Sequence, residues 1–306
     1  MVIYEYPDTG KAIPEKSSGC VLALGFFDGV HEAHRHLLKA AREKADSLAV
    51  SLGVFTFRSD SAIKGGGDRL YGDGEKADLL AEAGADFAVF ADFSAVSVKS
   101  PEEFVKTTLI SELGCIACVA GYNFRFGKGA AADSDKLKAL MANAGREAII
   151  CREVSALGEA VSTTRIKKLL SLGRVKEANR LLGAPYFIRG SVSHGKSEGG
   201  KMGYPTVNIK FDEGKFIPKF GVYSSDVSID KKVYRGLTNI GTCPTLGERE
   251  AHSETFILDF EGDLYGKELD IFLLDYIREE KHFSSAEELK MQINIDKNKI
   301  IKDLET

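Results

Sequence analysis

The chain has no apolar run near the ~18 residues of a membrane span, so no such span and no membrane partner is expected. Residues 1–19 contain no apolar h-region, so no signal peptide is expected there. One-signed charge is also missing. Lys and Arg number 41 against 45 Asp and Glu, a net −4, which argues against a nucleic-acid binder that works by bulk attraction. Cysteines are few and odd in number, five, and are scattered through core-like segments. That usage fits a reduced, cytoplasmic protein. Cys115-x-x-Cys118 has no second pair to join it, and on a regular strand positions three apart face opposite sides, which argues against a zinc site. There is no low-complexity tract and no long-period repeat. What is present is 306 residues, 43% hydrophobic and 28% charged, the composition of a soluble globular chain of about two domains.

The chain is organised around Cys20–Leu38. Val21-Leu22-Ala23-Leu24 reads as a buried strand of a parallel sheet, bounded by Gly25. A short loop, Phe26-Phe27-Asp28-Gly29, leads to a helical pattern with Leu37, Leu38, Ala41, Ala45 and Leu48 on one face. His31 and His34 stand three apart at its start and project from one side if that turn is helical. Two imidazole donors beside free N–H groups and the positive end of a helix form a seat for a polyphosphate.

Apolar runs at Leu52–Phe57, Phe87–Phe90, Cys115–Ala120 and Ala148–Val154 continue the first half. Helical patterns at Glu75–Ala83, Pro101–Leu113 and Ser134–Ala144 alternate with them, with Ser100 as cap before Pro101. This alternation predicts a doubly wound α/β domain over residues 1–184, with ligands at the carboxyl ends of its strands. Two short helices, Thr164–Ser171 and Val175–Leu182, end at Gly183-Ala184-Pro185. Residues 185–306 then change character. Runs at Tyr186–Val192, Val207–Ile209, Val222–Ile229, Val233–Ile240, Thr255–Phe260 and Leu269–Leu274 predict a small β-barrel. A terminal helix closes it, with Ser284 and Glu287 as a capping box and Ala286, Leu289, Ile293, Ile300 and Leu304 as its stripe.

Candidate sites follow from these placements. Gly121–Gly127 trails a strand and carries Asn123 and Arg125 to the same edge as His31. Ser162-Thr163-Thr164-Arg165-Ile166-Lys167 puts hydroxyls and cations at a helix start, a set suited to a triphosphate. Gly195–Met202 nearly spells a P-loop, but Met202 stands where a hydroxyl is required and Gly203-Tyr204-Pro205 where a helix should begin, which excludes one. On the strand after it Thr206 and Asn208 face one way, a hydroxyl and an amide oxygen able to ligate Mg²⁺ with ATP phosphates. Glu254 opens an apolar strand and can take a proton from a substrate hydroxyl. Arg278, Glu279 and Glu280 read as a surface charge cluster.

Over nearly its whole length the chain resembles the bifunctional bacterial riboflavin kinase/FAD synthetase family. The blocks that carry this are Gly25–His34, Gly121–Gly127 and Ser162–Lys167 in the first half. In the second they are Gly190–Gly195, Gly203–Asn208, Gly221–Tyr223, Asn239–Thr245, Glu254–Phe260, Asp263–Gly266 and Arg278–Phe283. The resemblance implies an N-terminal nucleotidyltransferase-like domain, an FMN adenylyltransferase, and a C-terminal riboflavin kinase. It implies ATP, riboflavin, FMN and FAD as ligands, with Mg²⁺ accompanying ATP. Glu254, His31 and His34 would be catalytic. Gly25, Phe27, Asp28, Asn123, Ser162, Thr163, Lys167, His194, Gly195, Gly203, Thr206 and Asn208 would hold ATP. Asn239 and Arg278 would hold the flavin, and the loop from His194 to Met202 would close over the nucleotide.

The chain departs from that family's pattern at Ala33, where Gly is usual, and at Lys167, where Arg is usual. Arg58-Ser59-Asp60-Ser61 replaces a Pro-His-Pro segment, and Gly200 and Cys243 take usual Arg positions. The leading expectation is an enzyme with both activities. Two alternatives stand beside it: a riboflavin kinase with a weak or inactive adenylyltransferase domain, and a non-catalytic flavin or nucleotide sensor.

Overall fold

The computed structural model describes residues 1–7, 19–59, 68–193, 206–245, 248–281 and 283–302. The chain divides into two compact units, Met1–Thr163 and Thr164–Thr306.

The first unit is built on a six-stranded parallel sheet. Its strands are β1 (Val2–Tyr6), β2 (Cys20–Leu24), β3 (Ser51–Phe57), β4 (Phe87–Ala91), β5 (Cys115–Gly121) and β6 (Glu147–Cys151). In space they run β1-β4-β3-β2-β5-β6. Every residue of β2 and β4 is buried, as continuous apolar runs must be when helices cover both faces of a sheet. The chain winds outward from β2 through β3 to β4, then returns to place β5 on the other side of β2. The crevice between the carboxyl ends of β2 and β5 is therefore the switch point where such sheets bind ligands.

Helix α1 (Glu32–Leu48) buries Leu37, Leu38, Ala41 and Ala45 as expected. Leu48 does not join them. It ends the helix, Ala49 turns the chain away at φ 52°, and Leu48 is 40% exposed. Helix α2 is Asp73–Glu82. The short α3 (Phe93–Ser97) and the edge strand β1 were not anticipated; β1 leaves Val2 and Ile3 exposed, so it lacks the buried run that marks the inner strands. The expected helix Pro101–Leu113 is only in part an α-helix. Ser100 and Glu103 form its capping box, and α4 (Pro101–Glu103) then widens into π winding over Phe104–Glu112, where the Leu113 N–H reaches the Thr108 carbonyl. Helix α5 (Ser134–Asn143) precedes β6, and a small hairpin, β7 (Ser155–Ala156) and β8 (Glu159–Ala160), follows it.

Regular strand geometry fails at Cys115. The pairing of β2 with β5 slips there, matching Cys20 to Cys115 but Val21 to Ala117. The bulge sets Cys115 opposite Cys20 and Cys118 opposite Leu22, so the two do not point to opposite faces, and the Cys115 thiol donates to the Ala117 carbonyl at 3.2 Å. Both lie with Cys20 in the apolar core, where the neighbouring Cys118 thiol, and then burial, push the Cys115 thiol further from ionisation.

The second unit begins with α6 (Thr163–Ser171, entered from the last residue of the first unit) and α7 (Val175–Leu182), which Gly183 ends in the left-handed conformation at φ 76°. Asn179 of α7 donates to the Leu273 carbonyl and accepts from the Tyr186 N–H, fastening the helix to two strands. The sheet is antiparallel and six-stranded, in the order β10-β13-β12-β11-β14-β9. Its members are β9 (Tyr186–Ser191), β10 (Thr206–Lys210), β11 (Gly221–Ile229), β12 (Lys232–Thr245), β13 (Glu248–Ile257) and β14 (Glu268–Arg278). It curls until its edges meet through a Ser193–Asn208 bridge, giving the expected small barrel. The interior holds Ile209, Tyr223, Val227, Ile240 and Ile271, together with three hydroxyls, Ser225, Thr238 and Thr255, that satisfy one another at 2.7 and 2.8 Å.

Helix α8 (Ala286–Lys302) lays Ile293 and Ile300 on Val222 and Leu237, on the other face of the sheet. Its cap lies one residue later than the spacing suggested: Ser285 accepts from the Glu288 N–H, and the Glu288 carboxylate takes the Ser284 N–H and hydroxyl. Leu304 lies outside the described residues. Glu254 is the seventh residue of β13 and not its first, because the strand starts at Glu248.

Two candidate active sites

At the β2–β5 switch point the loop after β2 is wound tightly, with Phe27, Gly29 and Val30 all at positive φ. Phe27 and Val30 are fully buried, so the Phe27 side chain plugs the floor and leaves only its backbone to face the crevice. Two bonds hold Asp28: the Leu70 N–H donates to its carboxylate at 2.9 Å and the Thr163 hydroxyl to its carbonyl at 2.8 Å. The second brings Ser162 and Thr163 to the His31 loop across 135 residues.

His31 is the N-cap of α1, and its Nδ1 accepts the His34 N–H at 3.4 Å. That bond leaves the His31 proton on Nε2. The two imidazoles are stacked, centroids 3.7 Å apart and 11° from parallel, with Phe27 5.0 Å from His34. Burial pulls His31 down to about 4, and burial with the neighbouring His31 and Lys76 holds His34 well below the usual histidine range. Both rings are therefore neutral near pH 7 and could offer N–H groups at a helix N-terminus, not positive charge.

Gly25 follows β2 and Asn123 follows β5, at the two lips of the crevice. A Cβ on Gly121 would come within 3.2 Å of the Asn123 amide oxygen, so glycine allows that side chain its place. Arg125 lies 3.8 Å from Asp133, the cap of α5. Lys167 falls in the second unit and is half-buried. Sequence reading missed Lys76, whose ammonium is buried beside this site. The signal was there: Lys76 shares a helix face with Leu79 and Leu80, a charge on an apolar stripe.

In the second unit, cross-strand pairing sets Asn208, Glu254, Asn239, Val222 and Arg278 in one row across β10, β13, β12, β11 and β14. Directly opposed residues share a face, so the polar members line up beside one another. The Thr206 hydroxyl donates to Glu254 Oε1 at 2.7 Å. Among the described residues, the other carboxylate oxygen has no protein partner. A cavity of about 330 Å³ opens next to Thr206, walled by Val192, Ile257, Phe260, Leu264 and Tyr265. His194, Gly195 and Gly203, expected at this site, lie outside the described residues.

Arg278 and its neighbours do not form a loose surface cluster. The guanidinium binds Asp296 of α8 at 2.9 Å through two nitrogens and also donates to the Glu279 carbonyl. The Asn239 amide donates to Glu280 Oε1 at 3.1 Å. Asp296, missed in the sequence, is 2% exposed and sits on the stripe between Ile293 and Ile300.

Comparison with known proteins adds a second, independent line. Residues 13–165 match the FAD synthetase family model, and residues 182–304 match that of riboflavin kinase. The bifunctional riboflavin kinase/FMN adenylyltransferase of Listeria monocytogenes is 33% identical, over 90% of this chain and 90% of its own. That of Bacillus subtilis is 32% identical over 95% and 94%, and that of Escherichia coli K12 32% over 91% and 90%. Among solved structures, one described as a macrolide-efflux protein from Streptococcus pneumoniae aligns with a TM-score of 0.85 and 30% identity, covering 97% of this chain and 98% of that one. That description is of the other protein alone.

Proposed function

The chain belongs to the bifunctional riboflavin kinase/FMN adenylyltransferase family, and from that premise we propose how its two sites divide the work. The enzyme moves the γ-phosphoryl group of ATP to riboflavin, giving FMN, and joins FMN to the AMP part of another ATP, giving FAD and pyrophosphate. We assign the first reaction to the barrel and the second to the α/β domain; the expected boundary at 184/185 falls after α6 and α7, which group with the barrel's unit.

The observation that carries the kinase assignment is the 2.7 Å contact between Thr206 and Glu254. It holds one carboxylate oxygen and leaves the other to accept the proton of the riboflavin 5′-hydroxyl as that oxygen attacks the γ-phosphorus. Thr206 and Asn208 share one face of β10, a hydroxyl and an amide oxygen, and these hard donors fit Mg²⁺ held with the ATP phosphates. The metal, when bound, neutralises charge on the transferring group. The cavity beside Thr206, with apolar walls and Glu261 and Asp263 also lining it, is of a size to take the purine base. Asn239 lies across the strand from Glu254, where it can orient the flavin. Arg278 is bound to Asp296, so it serves the flavin side by holding α8 in place and contacts the ligand only if that pair opens.

In adenylyl transfer the FMN phosphate is itself the nucleophile. It attacks the α-phosphorus of ATP and pyrophosphate leaves, so no serine or cysteine nucleophile is required. His31 and His34 donate N–H groups to the phosphates, aided by the N-terminus of α1. Asn123, Ser162 and Thr163 hold the nucleotide, and Gly25 and Asp28 bound its seat. A cytoplasmic setting is supported by the buried thiols of Cys20, Cys115, Cys118 and Cys151.

The test is product analysis with each flavin supplied separately. With ATP and Mg²⁺, riboflavin yields FMN and then FAD, and FMN yields FAD and pyrophosphate. FMN formation without FAD from either substrate would leave the kinase standing and remove the first site.

A further inference from the structure

Glu280 stands just past the end of β14, and two independent observations seat its carboxylate over β12. The Asn239 amide donates to its Oε1 at 3.1 Å. Two residues further along the same strand, a Cβ on Gly241 would come within 2.2 Å of that oxygen and 2.9 Å of the carboxyl carbon. Glycine at 241 thus clears a seat that a larger residue would close. The backbone beneath Glu280 is tied as well. The Arg278 guanidinium donates to the Glu279 carbonyl at 3.0 Å and is itself bound to the buried Asp296 at 2.9 Å.

The seated carboxylate decides which way Asn239 faces. A carboxylate only accepts, so it takes the amide N–H and not the amide oxygen. The Asn239 oxygen, on the other arm, is turned away from Glu280, and among the described residues it has no protein partner. Asn239 is directly opposed to Glu254 across β12 and β13, and side chains so placed start ~5 Å apart. An oriented acceptor therefore stands beside the base. Without Glu280 the amide is free to turn over, and would offer its N–H groups as readily as its oxygen.

We propose that Glu280 is a positioning residue for phosphorylation of riboflavin: through Asn239 it fixes an acceptor for a hydroxyl of the ribityl chain, which sets the 5′-hydroxyl against Glu254. Glu280 does not touch the reacting atoms. The inference rests on the assignment of Asn239 to the flavin side of the kinase site, and the experiment separates the two.

The test compares Glu280→Ala, Glu280→Gln, Gly241→Ala, the double variant Gly241→Ala with Glu280→Ala, and Asn239→Ala, all in the full chain. FMN formation is measured at varied riboflavin and at varied ATP, with FAD formation from FMN and circular dichroism as controls for folding. Loss of one oriented hydrogen bond to the substrate is expected to raise KM for riboflavin about three- to tenfold in Glu280→Ala, with KM for ATP unchanged. Glu280→Gln keeps an acceptor oxygen at the seat and is expected to stay within about twofold of wild type. Gly241→Ala meets only the flexible end of the Glu280 side chain, so it displaces the carboxylate without moving the strand and is expected to match Glu280→Ala. The double variant should then lose no more than either single one. A Glu280→Ala enzyme with the wild-type KM for riboflavin overturns the proposal. So does a lower kcat with both KM values unchanged, which would make Glu280 structural only. Additive losses in the double variant, or a Glu280→Gln enzyme as weak as Glu280→Ala, overturn it too. Asn239→Ala with an unchanged KM for riboflavin would instead remove the reading of Asn239 on which the proposal rests.

Discussion

Asp296→Ala should detach the terminal helix from the barrel, and the structure gives the size of the effect. Asp296 is a carboxylate at 2% exposure whose partner, Arg278, has a side chain only 15% exposed. The substitution leaves that guanidinium without its counter-charge and deprives the Gln292 amide of an acceptor at 2.9 Å. Breaking a buried pair from one side costs about 3–5 kcal/mol. The guanidinium keeps its bond to the Glu279 carbonyl and its place 5.8 Å from the Phe283 ring, so the lower end, about 3 kcal/mol, is expected. Against a total stability of about 5–15 kcal/mol that is a large fraction.

The chain has no tryptophan, so urea unfolding is best followed by circular dichroism. Loss of α8 also uncovers Val222 and Leu237, one of which lies in the same row as Asn239 and Glu254. Phosphorylation of riboflavin should therefore fall, while FAD formation from FMN is kept. Replacing both partners, Arg278→Met with Asp296→Leu, should return stability to within about 1–2 kcal/mol of wild type. An Asp296→Ala cost below about 0.5 kcal/mol, or a double variant no better than the single one, would refute the reasoning.

Two further predictions concern the first unit. His31 is held near pH 4 in the folded chain against an ordinary value of 6.5, so the unfolded chain binds a proton first. The stability this neutral ring permits is whole above pH 6.5 and falls as pH drops towards 4, by about 3 kcal/mol in all. Urea midpoints should therefore decline on the acid side, and less steeply in His31→Gln; equal slopes would contradict the burial argument. Thr163→Val removes the bond to the Asp28 carbonyl, a loss of about 1 kcal/mol, and should weaken FAD synthesis selectively. Unchanged KM for ATP in that reaction would deny Thr163 its place.

Periodicity made most of both folds legible. The buried runs of β2 and β4, the α1 stripe and the alternating second half all carry their own signature. What escaped was set by partners far away in the chain. Strand β1 is an edge whose pairing with β4 supplies its order. The Cys115 bulge follows from a slip against β2, which no spacing within β5 reveals. At the sites, the residue types of His31, His34, Thr206, Asn208 and Glu254 were readable, and strand register put the last three side by side. The neutral state of the imidazoles was not readable, because it comes from burial. Lys76 and Asp296 were not singled out, although each stands on an apolar stripe, where a charge needs a reason.

The most direct measurement of the central claim, two separate sites acting on successive flavins, is the Glu254→Gln variant assayed for each reaction. Loss of the base should cut riboflavin phosphorylation by about 10²–10⁴ and leave FAD formation from supplied FMN at the wild-type rate. Equal loss of both reactions, or loss of neither, would contradict it.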